Sequence, residues 1–150
     1  MDWSKIPKQT CFKDWNDKNS KSAGDCWRCC IAAVVGLDAS AVPHFLQMEL
    51  DSRGNDFTNC DQLTQEWLNA RGLAIARIHS YVNFDYMNHQ QPAVIKCGPT
   101  PRSKTMHQHH AVVYVGDKLV YDPHPDNSGL TAVVDQFLIM PIDFHTHAAG

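Results

Sequence analysis

The sequence has no long apolar run. Nothing in its 150 residues approaches the roughly 20 consecutive apolar positions of a membrane span, so no membrane partner is expected. It has no basic stripe either. Thirteen Lys and Arg against 16 Asp and Glu leave a formal charge of −3, and scattered cations leave no electrostatic footprint for nucleic acid. Residues Met1 to Thr10 are polar and lack the apolar stretch of a signal peptide. The six cysteines do not follow the spacing of a secreted disulfide framework. A reducing, cytoplasmic setting is therefore expected. No repeat and no low-complexity linker divides the chain, which reads as a single domain over 1–150. With 43% hydrophobic residues it has enough apolar material for a core without disulfides or metal.

The first half reads as helices. Residues 13–25 are polar and Gly-containing, a loop. From Cys26 the composition turns to Cys-Trp-Arg-Cys-Cys-Ile-Ala-Ala-Val-Val and stops at Gly36, the pattern of a buried helix. Residues 39–46 read as a short helical turn limited by Pro43. Thr58 or Asn59 can cap a further helix from Cys60 to Arg71, with Leu63, Trp67 and Leu68 as its apolar face and Gly72 past its end. The second half reads as strands at 73–79, 92–97, 109–115, 119–122 and 131–139. Helices first and antiparallel strands later predict an α+β domain.

Cys26 stands at the expected N-terminal end of the first helix, where free N–H groups and the helix dipole favour a thiolate. Free cysteines are more often small buried apolar residues, and Cys29 and Cys30, inside the helix, read that way. A nucleophilic thiol needs a base within hydrogen-bond reach, and the base needs a group to orient it. His110 opens the strand Ala111-Val112-Val113-Tyr114-Val115, and Asp122 ends the next strand, just before Pro123. A lone histidine is usually structural; two candidates on one hairpin are less often accidental.

The pieces Gly24-Asp25-Cys26-Trp27, Val42-Pro43-His44-Phe45, His110-Ala111-Val112-Val113 and Asp122-Pro123-His124-Pro125 resemble papain-like cysteine peptidases. The likeness is nearest to the small papain-like proteins of tailed phages and bacteria. It runs from about residue 9 to residue 130. Each motif is weak alone, and their order and spacing together are fairly specific. The resemblance implies a papain-like fold, with an N-terminal nucleophile helix packed on an antiparallel sheet. It implies a thiol hydrolase acting on a protein or peptide substrate, with Cys26, His110 and Asp122 as triad and no cofactor. For a phage-encoded protein the setting is the host cytoplasm. It further implies an oxyanion hole made by the Cys26 N–H and an upstream Gln, a part that Gln9 fits; Asn16 and Asn19 are the alternatives.

The hairpin register tests this reading. A regular two-residue turn at Gly116-Asp117 would place Ala111 opposite Asp122 and turn Asp122 away from His110. A three-residue loop, or a bulge, would put the two on one face. In the first case Asp126 or Asn127 would have to take the orienting role. Three other readings compete. Cys26-Trp27-Arg28-Cys29 is a C-x-x-C of the thiol redox kind, although such folds place an apolar strand directly before the motif. His107, His109, His110 and His124, or His145 and His147, could join Cys26 and Cys29 around zinc, without the paired spacing that marks such sites. A catalytically silent papain-like binding module or inhibitor is the third.

Overall fold

The computed structural model describes residues 2–10, 12, 24–78 and 91–142. Within them the chain is α+β, with three α-helices followed by a five-stranded antiparallel sheet. Helix α1, Cys26–Val35, is the central one. Cys30, Ile31, Ala32 and Ala33 are all buried in it, and Gly36 ends it in the left-handed region at φ 78°, its N–H on the Ala32 carbonyl. Asp25 precedes α1 without capping it: the buried carboxylate instead accepts the N–H and the hydroxyl of Thr10, each at 3.2 Å.

The predicted turn at 39–46 divides in two. A 3-10 turn covers 39–41, and a separate helix α2 runs Phe45–Asp51. Pro43 does not limit this helix but lies just ahead of it. His44 caps it, Nδ1 accepting the Gln47 N–H at 3.3 Å. Helix α3, Cys60–Asn69, starts where Asn59 Oδ1 accepts the N–H groups of Asp61 and Gln62. Trp67 meets Phe45 edge-on at 6.0 Å, so α2 and α3 share an apolar seam.

The strands are β1 Leu73–Ile78, β2 Ala93–Gly98, β3 His110–Val115, β4 Lys118–Tyr121 and β5 Asp135–Pro141, in the spatial order β1-β5-β2-β3-β4. His79, expected at the end of the first strand, lies outside the described residues. The last strand starts four residues later than Thr131, the predicted start. Residues 131–134 are used in the approach, where the Thr131 and Val134 N–H groups reach the carbonyls of Pro99 and Cys97. That crossing presses on Gly98, where a Cβ would stand 2.0 Å from the Ala132 carbonyl oxygen. Only glycine fits, and Gly98 pairs with His110 across the ladder. Ile95, Ala111, Val113, Tyr121 and Phe137 join α1 in one hydrophobic cluster. No helix among the described residues is long and apolar enough to cross a membrane.

The β3–β4 hairpin has both features weighed from the sequence. Gly116, at φ 62°, begins a two-residue turn and Val115 pairs with Lys118. The next pairs are Tyr114 with Leu119 and Val113 with Tyr121, so Val120 is an extra residue in a bulge. Continuing the ladder puts Asp122 opposite Val112. It therefore shares a face with His110.

Candidate active site

The bulge delivers what its register promises. Asp122 is 1% exposed, and its Oδ1 lies 2.7 Å from His110 Nε2. The same carboxylate accepts the N–H groups of His124 and Gly129, each at 2.9 Å. Burial alone would raise the Asp122 pKa, but the hydrogen bonds from His110, Gly129 and His124 hold it below the ordinary carboxylate range. An ionised carboxylate can only accept, so His110 Nε2 carries a proton toward it.

That arrangement leaves Nδ1 of the ring for Cys26, whose sulfur accepts the hydrogen bond that favours the charged ring. Burial of the ring opposes its charged form. The bonds to Asp122 and Cys26 outweigh that cost and push His110 from about 6.5 up to about 9. The ring is thereby favoured in its charged form at neutral pH, placed between the Cys26 sulfur and a fixed carboxylate.

The remaining described cysteines differ from Cys26. Burial pushes the Cys29 and Cys60 thiols up to about 12, and raises Cys30 and Cys97 well above the usual value. Cys26 differs from them in combining partial exposure with a helix start and a place beside His110. All five strands follow α1, and no strand precedes it among the described residues. Among those residues no three His, Cys, Asp or Glu side chains gather as ligands for one ion; His145 and His147 lie outside them.

Gln9 reaches the site by a strap. Its N–H donates to the Pro123 carbonyl at 2.9 Å, Lys8 Nζ donates to the Asp122 carbonyl at 2.6 Å, and the Tyr121 hydroxyl donates to the Pro7 carbonyl at 2.7 Å. The strap runs along β4, an edge of the sheet, and carries the buried Gln9 side chain to the cleft beside Cys26 and His110. Asn16 and Asn19 lie outside the described residues. Asp126 and Asn127 do not face His110. Asp126 is paired with Arg102, and Asn127 Oδ1 accepts Lys8 Nζ.

Two hollows of about 250 and 520 Å³ flank the Cys26–His110 pair and share Cys26, Leu46, His109 and His110. The smaller holds Gln9, Arg102 and His124 and has no carboxylate in its lining. The larger holds Glu49, Asp61 and Asp135 with Arg77, and Trp27 forms part of its wall. Trp27 is fixed there by a hydrogen bond from its Nε1 to Thr64 and an edge-on contact with Phe137 at 5.0 Å. His109 is exposed, with its Nε2 3.0 Å from the Met106 carbonyl oxygen, and His107 is exposed in the same loop. The Arg102–Asp126 pair and the place of His124 in the cleft wall were not foreseen. The only sequence signal for either was the Asp122-Pro123-His124-Pro125 motif, where His124 was considered only as a zinc ligand. Comparison with protein families, with curated proteins and with solved structures returns no match for the chain.

Proposed function

We propose that the protein is a papain-like cysteine hydrolase that cleaves a peptide or isopeptide amide through a thioester. The observation that carries this reading is the His110 ring, bonded to the buried Asp122 carboxylate at 2.7 Å and lining one cleft with Cys26. With the Cys26 proton held on His110, Cys26 Sγ attacks the carbonyl carbon and a C–S bond forms. The carbonyl oxygen becomes an oxyanion, held by the Cys26 N–H at the start of α1 and by the Gln9 side-chain amide. His110 gives its proton to the leaving nitrogen, the C–N bond breaks and the amine departs. His110 then takes a proton from water, which attacks the thioester and releases the acid and Cys26. Asp122 keeps the ring in the tautomer and orientation that serve both steps. The cleft on either side of the dyad offers room for chain on both sides of the scissile bond, as a polymeric substrate requires. A cytoplasmic setting, where thiols stay reduced, suits a catalyst of this kind.

The test is selective alkylation at pH 6 with limiting iodoacetamide, read by mass spectrometry after trypsin. Cleavage after Lys21 and Arg28 isolates Cys26 in Ser22–Arg28, apart from Cys29 and Cys30. Cys26 should label first, and probes carrying recognition peptides should label it faster still. Preferential labelling of Cys29 or Cys30 would overturn the assignment.

A further inference from the structure

His124 has a place in the cleft that the triad does not use. Its main chain is fixed by the bond from its N–H to Asp122. Its ring is fixed as well. The Asp126 N–H donates to Nδ1 at 3.1 Å, Phe12 meets the ring edge-on at 5.1 Å, and the His110 ring lies 6.4 Å away, also edge-on. A nitrogen that accepts an N–H carries no proton, so the ring proton of neutral His124 is on Nε2. Asp126 also approaches Nδ1 with its carboxylate, at 3.1 Å. That carboxylate is engaged by Arg102 Nη1, at 2.7 and 2.6 Å from its two oxygens, and it accepts the Ser128 N–H. Its charge is thus met elsewhere. With Nδ1 turned to Asp126, Nε2–H is the ring edge left to the cleft, and it makes no hydrogen bond with the described residues.

We propose that His124 is a substrate-binding residue, whose Nε2–H holds a carbonyl oxygen of the substrate in the half of the cleft that contains Gln9. A partly exposed ring N–H in the cleft wall, with no hydrogen bond to the described residues, is matched by an oxygen acceptor. No carboxylate lines that half to compete for the donor or to repel the acceptor. The inference rests on the hydrolase reading above, because the substrate is the one delivered to Cys26.

The experiment compares the full-length protein with His124→Phe, which keeps a ring against Phe12 and loses the donor, and with His124→Gln, which restores an N–H. Each is labelled at Cys26 by iodoacetamide, which needs no binding site, and by a panel of peptidyl vinyl sulfones, which present backbone carbonyls. The ratio of peptidyl to iodoacetamide rates should fall about fivefold to tenfold in His124→Phe, as for one lost hydrogen bond, and recover at least in part in His124→Gln. An unchanged ratio in His124→Phe would overturn the proposal. So would a parallel loss of both rates, which would mean that His124 acts on the dyad through Asp122. Wild-type protein that labels with neither reagent at Cys26 would overturn the hydrolase reading itself, and this inference with it.

Discussion

Cys26 is placed by a helix and His110 by a hairpin, and the two are secured in different ways. Cys26, the proposed nucleophile, depends on short-range structure: an Ala-rich helix whose first residue it is, buried through its middle and stopped by Gly36. His110, the proposed base, depends on long-range structure. Its ring is fixed by Asp122 across a bulged ladder, and Asp122 is fixed in turn by two N–H groups from the loop that follows. A helix start tolerates change in its neighbours. A triad distributed over a bulge depends on the residue count between its members, because each added or lost residue turns a side chain to the other face.

The largest expected effect lies at the point where the two halves meet. His110→Ala should lower turnover by about 10³-fold or more while circular dichroism and the unfolding midpoint show a folded chain. His109→Ala should change activity only a few-fold, since its Nε2 is taken up by Met106. A dead His109→Ala beside an active His110→Ala would show that the wrong face of β3 carries the base.

The hairpin half can be tested by counting residues. Deleting Val120 removes the bulge yet keeps Tyr121 opposite Val113 and Asp122 opposite Val112, so activity should stay within about tenfold. Inserting one alanine between Tyr121 and Asp122 leaves the upper ladder alone and turns the carboxylate away from His110. Turnover should then fall about 10²-fold, toward the level of Asp122→Ala. Loss of activity in the deletion and survival in the insertion would show that the bulge places Asp122 by some other route. Kinetic assays on both variants, with the unfolding midpoint as control, decide it.

A smaller effect sets the pH dependence of the pair. The folded-state value of His110, about 9, is above its ordinary 6.5. Protonation of the ring therefore favours the fold fully below about pH 6.5, and that contribution is lost as pH rises to about 9. Urea midpoints should decline across this window by the equivalent of about 3 kcal/mol. The decline should flatten in His110→Gln. A wild-type curve flat from pH 6 to 9.5 would mean that Asp122 and Cys26 do not hold the ring charged.

What the sequence made legible follows the same division. The start of α1, the Asn59 cap of α3 and the order of helices and strands are coded by neighbours a few residues apart. The Cys26, His110, Asp122 and Gln9 positions could be named for the same reason: each stands in a short motif. The bulge could be posed only as a requirement. Gly116-Asp117 announces a turn, but nothing near Val120 announces that it will be left out of the ladder. Pro43 reads as a limit from the sequence, but helix α2 begins just after it because the cap is the ring of His44, a residue with no strong signature there. The start of β5 moved because the 131–134 carbonyls and N–H groups are drawn into a crossing over Gly98, a tertiary event.

The strap along β4 has a consequence for the order of events on the ribosome. Lys8 and Asp122, which it joins, are 114 residues apart in the chain. A polypeptide emerging N-terminus first, at about 5–20 residues per second, makes its thiol early and its base, its carboxylate and the anchor for Gln9 late. Until Pro123 has cleared the exit tunnel the nascent chain has a cysteine but no catalyst. The site proposed here would thus form only after Gly129, the last residue to fix Asp122, has emerged.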